Sequence, residues 1–209
     1  FNFARSYRSP SPEERYQFID LGNLVRVGNP DLSPEKGLFY DLGVRVWKER
    51  FNIIADVFLN TFSDQVVEIP GTFEGRSALV KTNIGKSRLY GFDMSAMYNF
   101  YKSFVGYMNL SYVRGEDTEN NTDLSQMPPL NGTLGLRSDI LKYVNFDLSA
   151  TLFAEQKKIA AGEISTPGYA TINLYLTSMP ININNYVRII LNAGIENIFD
   201  KQYRNHLST

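Results

Sequence analysis

Apolar and polar residues alternate one by one over long stretches of this chain, and few folds besides a β-sheet accept that pattern. Successive side chains of a strand point to opposite faces, so a period of two gives one apolar and one polar face. Between 143 and 153, Val144, Phe146, Leu148, Ala150 and Leu152 fall on one face, with Asn145, Asp147, Ser149 and Thr151 on the other. Over 169–177, Ala170, Ile172, Leu174 and Leu176 alternate with Thr171, Asn173 and Thr177. Over 186–197, Val187, Ile189, Leu191, Ala193 and Ile195 alternate with Arg188, Asn192 and Glu196. With the noisier segments 1–8, 38–47, 51–62, 88–101, 104–114 and 131–140, the pattern predicts nine strands, many of ten residues or more. Strands of soluble proteins average about 5–6 residues. A tilted strand that crosses a membrane needs about 9–11.

The connections alternate too. Long links at 9–37, 63–87, 115–130 and 157–167 take turns with short ones at Lys48-Glu49-Arg50, Lys102-Ser103, Leu141-Lys142 and 180–185. Outer-membrane barrels sort their links this way, with short periplasmic turns and long extracellular loops. A soluble Greek-key sandwich has no reason to. The expected fold is therefore all-β, an antiparallel up-and-down transmembrane β-barrel segment. A soluble up-and-down barrel or β-sandwich module is the alternative.

Composition adds weight to the membrane reading. There are 13 Tyr and 14 Phe in 209 residues. Tyr40, Tyr101, Tyr143, Tyr169 and Tyr186 stand near strand ends, where an aromatic girdle would meet the membrane interface. A net charge of −1 without a basic block argues against a nucleic-acid partner. With no cysteine, disulfides and thiolate metal sites are excluded. Nine strands leave two open edges, which lipid does not tolerate. One more strand is expected after the polar ending Asn205-His206-Leu207-Ser208-Thr209.

Chemical motifs are few. Gly85-Lys86-Ser87 resembles the end of a phosphate loop, but Val80 stands where its upstream glycine belongs. Asp117, Glu119, Asn121 and Asp123 have calcium-loop spacing, but Thr122 replaces the required glycine. His206 is the single histidine and builds no zinc or triad site alone. No catalytic residue, no metal site and no cofactor are expected.

Five segments in order resemble the TonB-dependent outer-membrane receptors. They are FNFARSYRSPSPEERY at the start, GNPDLSPEKG at 28–37, QVVEIPG followed by KTNIGKSRLYGFD within 65–93, MPPLNGTLGLRSD at 127–139, and NAGIENIFDKQYRNHLS at 192–208. The resemblance implies that 1–209 is the C-terminal portion of a 22-stranded barrel, with the plug domain and the terminal strand absent from this chain. It implies a location in the bacterial outer membrane, contact with outer-membrane lipid, and coupling to the TonB complex through the missing plug. It implies energy-coupled import of a scarce nutrient such as an iron-siderophore, haem, cobalamin or copper. A passive porin or a structural barrel is the alternative. Lumen-side Asn145, Asp147, Asn173, Arg188, Asn192 and Glu196 would hydrogen-bond a plug or water. Ligand contact is expected on the long loops. There Arg5, Tyr7, Arg8, Arg15, Tyr16 and Arg26 cluster at the first loop, and Arg76, Lys81, Lys86 and Arg88 at the second. Arg and Tyr suit anionic chelates, because they offer fixed donors and flat rings.

Overall fold

The computed structural model describes residues 1–83, 85–101, 103–139 and 143–208. In chain order its elements begin with β1 (Asn2–Arg8), helix α1 (Pro12–Tyr16), β2 (Phe18–Asp20), β3 (Val25–Val27), β4 (Glu35–Trp47) and β5 (Phe51–Ser63). Next come β6 (Val66–Phe73), β7 (Arg76–Asn83), β8 (Lys86–Tyr101), β9 (Phe104–Asp117) and β10 (Thr122–Asp123). Last come β11 (Asn131–Ser138), β12 (Val144–Phe153), β13 (Tyr169–Ser178), β14 (Ile181–Asn182), β15 (Arg188–Ile189) and β16 (Asn192–Ile195). The main sheet runs β1-β4-β5-β8-β9-β11-β12-β13-β16, so chain neighbours are sheet neighbours once the loop strands are set aside. Its nine-strand path matches the nine predicted strands. The tight turn at Leu141-Lys142 and residue Lys102 of the other predicted turn lie outside the described residues.

Two compact units divide the chain. The first comprises Phe1–Asp41, Phe58–Tyr90 and Gly115–Leu124. It contains the β1–β4 pairing and a second, four-stranded sheet ordered β2-β3-β7-β6, made from the two links read as loops. The β6–β7 hairpin turns at Glu74 and Gly75, with φ of 49° and 77°. A two-residue turn with both φ positive matches the twist of its strands, and glycine at the second position removes half of the strain. All three buried hydrophobic residues among those described, Val25, Leu32 and Ala78, belong to this unit. Val25 and Ala78 face each other across the parallel β3–β7 pair.

The second unit comprises Leu42–Val57, Gly91–Arg114 and the chain from Ser125 onward. Its registers fix the two faces of the wall. Leu134 stands opposite Met108 on β9 and Ala150 on β12, and Leu136 opposite Gly106 and Leu148. Ile172, Leu174 and Ile195 continue this apolar face. The other face carries Thr133 between Asn109 and Thr151, and Arg137 beside Asp147, which faces Tyr175. Among the described residues the apolar face is open: Leu134 is 47% and Ile195 60% exposed. A water-soluble domain buries such a face against a second layer.

One predicted strand is corrected. Residues 186–197 do not form a single strand, since Arg188–Ile189 pairs back onto Ile181–Asn182 and only Asn192–Ile195 joins the main sheet. Asn184 is the cause. Its side-chain oxygen accepts from the backbone N–H of Tyr186 and of Val187, at 2.8 and 2.9 Å, and closes a local turn. The short link 180–185 thereby becomes a small hairpin over 179–191.

Candidate functional site

The first unit pins its loops with charge. Ser11 caps α1 reciprocally: its hydroxyl accepts from the Glu14 N–H at 3.1 Å, and the Glu14 carboxylate accepts from the Ser11 N–H at 2.8 Å. Pro12 at the first helical position has no N–H to leave unpaired. Glu14 also takes a two-pronged contact from Arg8, at 2.9 and 3.0 Å, and Arg8 reaches Glu35 at 2.7 Å. Arg76 bridges to Asp20 at 2.7 and 2.9 Å and donates to the Gly22 carbonyl at 2.6 Å. Glu68 sits between Arg26 and Lys81, with contacts of 2.5 and 3.2 Å. These hydrogen-bonded cations favour the ionised carboxylates. The Arg8 guanidinium holds Glu14 down at about 2, helped by the cap N–H. Arg76 holds Asp20 at about 2. Arg26, then Lys81, keeps Glu68 below the usual range.

The structure sorts the side chains chosen from sequence for ligand contact. Arg8, Arg26, Arg76 and Lys81 are ion-paired within the loop sheet and its base. Arg15 donates to the carbonyls of Pro30 and Leu32, at 3.3 and 3.0 Å, tying α1 to the next segment. Tyr16 is 70% exposed beside the exposed Phe18, whose ring lies 5.8 Å from that of Phe73. Arg5 and Tyr7 point the other way from Arg8. They share one face of β1 with Phe3, opposite Leu38, Lys36 and Tyr40 of β4. Arg5, Lys86 and Arg88 line one hollow on the first unit. Arg88 pairs with Glu116 at 2.6 Å.

In the second unit the polar face carries a repeated arrangement that the alternation of 104–114 brings within reach but does not single out. Tyr107 donates to Asp147 at 2.7 Å, and Asp147 accepts from Arg137 at 2.8 Å. The Arg137 guanidinium lies 5.4 Å from the Tyr107 ring centre. That ring covers Gly135, where a Cβ would collide with it. Tyr175 repeats the device, lying over Gly194 and donating to Glu196 at 2.8 Å. An aromatic side chain over a strand glycine restores the cross-strand packing that glycine lacks. Alongside runs a polar groove of about 300 Å3 lined by Asp56, Asp93, Ser95, Asn109, Asn131 and Thr133. Ser95 donates to Asn109.

Two suspects from sequence have local duties. Asp117 accepts from the N–H of Glu119 and of Asn120, at 2.8 and 2.9 Å, and so closes its own turn. The His206 ring contacts the Thr166 hydroxyl at 3.2 Å, while Tyr203 stacks on Tyr169 with ring centres 4.2 Å apart. The tail is thus docked on the 154–168 link.

A long-stranded wall with one uncovered apolar face and one polar face agrees with the comparisons. Residues 1–198 match the family described as TonB dependent receptor-like, beta-barrel. The chain belongs to the TonB-dependent receptor family. As its fold class it is an open, all-β, mostly antiparallel segment of a TonB-dependent receptor barrel. Such barrels reside in the bacterial outer membrane, and the family is one of receptors rather than enzymes.

Several solved receptors have this fold. The copper transporter OprC is 21% identical with a TM-score of 0.77, over 98% of this chain and 32% of its own. The siderophore receptor PirA from Acinetobacter baumannii is 20% identical with a TM-score of 0.71, over 99% of this chain and 35% of its own. A mutant of the ferric enterobactin receptor PfeA from Pseudomonas aeruginosa, in complex with enterobactin, is 18% identical with a TM-score of 0.77. That match covers 95% of this chain and 32% of the receptor. The chain therefore spans about a third of the length of these receptors. No curated protein matches it.

Proposed function

We infer that this TonB-dependent receptor segment serves in energy-coupled import of a scarce small solute, an iron chelate, haem, cobalamin or copper complex. It contributes the wall and the ligand-facing loops. The supporting observation is the family match over residues 1–198. The siderophore and copper receptors with the same fold suggest the solute class, at identities of 16 to 21%. Coupling to TonB would run through a plug, against which the polar face with Asp147, Arg137 and Glu196 offers donors and acceptors. The links that form the loop sheet are the long ones, which in such barrels face the outside.

On the loop sheet and the segments at its base, the ligand role falls to Tyr16, Arg15, Arg26, Arg76, Lys81 and Arg8. Arg26 and Arg76 stay accessible despite their ion pairs, with about two-fifths of their side-chain surface exposed, 41% and 40%. Fixed, half-exposed guanidinium groups beside exposed rings suit a flat anionic chelate. Arg5, Tyr7, Lys86 and Arg88 leave this group, because they belong to a different surface.

The test is uptake by cells that carry or lack the full-length receptor. Radiolabelled ferric chelates, haem, cobalamin and copper are supplied in turn, with and without a protonophore. Receptor-dependent uptake of one solute that the protonophore abolishes supports the reading. Uptake that ignores the protonophore means a passive porin, and no receptor-dependent uptake of any solute overturns the import function.

A further inference from the structure

One element of the second unit has no part in import. Short links of outer-membrane barrels are tight periplasmic turns. Between β13 and β16 the chain instead builds a sheet of its own, β14 with β15. Ser178 is the last residue of β13 paired with β12, opposite Val144. Pro180 follows, without an N–H to carry the ladder on. Beyond it Ile181 pairs with Ile189 and Asn182 with Arg188, and the Ile183 N–H donates to the Val187 carbonyl at 3.0 Å. At about 3.3 Å per residue, the strand from 179 to 183 reaches up to roughly 16 Å past Ser178.

The hairpin is amphipathic. Residues opposed across a ladder share a face, so Ile181, Ile183, Val187 and Ile189 lie together, and they are 40% to 60% exposed. The other face carries Asn182 and Arg188, hydrogen-bonded at 3.2 Å, with Ile190 at its base. A two-stranded hairpin alone is at best marginally stable in water, and this one turns four aliphatic side chains outward. Alternation carries the aliphatic face without a break from Ile189 through Leu191 and Ala193 to Ile195, on the apolar face of the wall. That face of an outer-membrane barrel meets lipid. Two exposed tyrosines bracket the hairpin's level, Tyr143 just before β12 and Tyr186 at the hairpin tip. Such rings, half apolar and half wet, favour a membrane interface.

We propose that the 179–191 hairpin lies on the inner leaflet of the outer membrane as an interfacial foot. Ile181, Ile183, Val187 and Ile189 enter the boundary between headgroups and acyl chains, while Asn182 and Arg188 face the periplasm. Amphipathic segments bind membranes this way, sinking an apolar face about 5–10 Å into that boundary. A periplasmic protein fits less well, because it would have to cover a face that runs on into lipid. The proposal rests on the outer-membrane location of the family and not on any imported solute.

The experiment uses the full-length receptor, otherwise free of cysteine, in vesicles of phosphatidylethanolamine and phosphatidylglycerol. This segment contributes no cysteine of its own. Nitroxide labels on single cysteines at Ile183, Ile189, Asn182 and Arg188 are probed with oxygen, which concentrates in lipid, and with a water-soluble nickel chelate. The ratio of oxygen to nickel accessibility should be several-fold higher at 183 and 189 than at 182 and 188. Heat-modifiability shows that each labelled receptor is folded, and Val187 reads the same face if a label at Ile183 prevents folding. Nickel access at 183 equal to that at 182 would place the hairpin in water and overturn the proposal. Poor access of both reagents at 183 and 189 would mean that protein covers the face, which overturns it too. Labels at 182 and 188 together should broaden each other's spectra strongly, because these residues pair across the hairpin. Absence of that broadening means that the hairpin does not form, and the proposal falls with it. None of these readouts depends on uptake, so failure of the import reading leaves the result interpretable.

Discussion

Arg76 grips Asp20 with two hydrogen bonds, 2.7 and 2.9 Å long, across 56 positions of sequence. The pair ties the second long link to the first and gives two loops one sheet. Replacing Arg76 with Ala should loosen the loop sheet and leave the barrel wall intact, because the wall strands do not depend on this contact. Limited proteolysis of the full-length receptor should cut faster within 66–83, while heat-modifiability on gels stays unchanged. Equal cleavage of variant and wild type would mean that β-pairing alone holds the loops, as exposed ion pairs often contribute little.

The acid limit of the same region follows from its carboxylates. Glu14 ionises at about 2 in the fold and near 4.5 when free, because Arg8 and the Ser11 N–H favour its charge. Asp20 behaves alike, at about 2 against 3.8, through Arg76. A depressed value stabilises the folded loops fully above the free value. That contribution fades as pH falls from about 4.5 to about 2. Hydrogen exchange across 11–27 should therefore be protected alike at pH 7 and pH 5 and lose protection between pH 4 and pH 2. Glu14→Gln should already show the looser state at pH 7, with a flatter pH profile through α1.

The polar wall offers a packing test. The Tyr107 ring occupies the space over Gly135, so Gly135→Ala must push the ring away from Asp147. A lost hydrogen bond and a displaced aromatic contact together suggest a loss of about 1–2 kcal/mol. Tyr107→Phe keeps the ring and removes only the hydroxyl, so it should cost less, about 1 kcal/mol. Urea titration of the refolded full-length receptor in vesicles measures both. Equal losses would show that the ring's place over Gly135 carries no weight.

How much of this was legible in the sequence depends on the kind of interaction. Strict alternation put Val144, Phe146 and Leu148 on one face and Asn145 and Asp147 on the other, and the β11–β12–β13 registers keep them so. That signal is local, two residues at a time. The loop sheet was hidden because its ladder joins β3 to β7 across some 50 residues, which no short window reads. Parts of it were nonetheless written down: Ser11-Pro12-Glu13-Glu14 is a capping box, and Glu74-Gly75 between two β-rich runs is a hairpin turn. Residue type suggested that the loop arginines were ligand groups. Only geometry reveals that Arg8, Arg26 and Arg76 already hold carboxylates. The last strand was misjudged because alternation persists through Val187 and Ile189 while Asn184 turns the chain beneath it.

The two faces of the wall give the most direct test of the fold's meaning, through a pair of adjacent positions. Leu134 belongs to the apolar face and is 47% exposed, between Met108 and Ala150. Thr133 belongs to the polar face and borders the groove with Asp56 and Asp93. An arginine on the lipid side of a membrane barrel costs about 2–4 kcal/mol at the bilayer midplane and less toward the interface. The same residue on the lumen side keeps its water, and here it would meet two carboxylates. Leu134→Arg should therefore lower the fraction of full-length receptor that folds into vesicles, while Thr133→Arg should fold like wild type. In plain water the difference would vanish, because a charge on an exposed surface is tolerated. Equal folding of the two variants in vesicles would sink the assignment of Leu134 to lipid, and with it the reason this sheet needs no second layer.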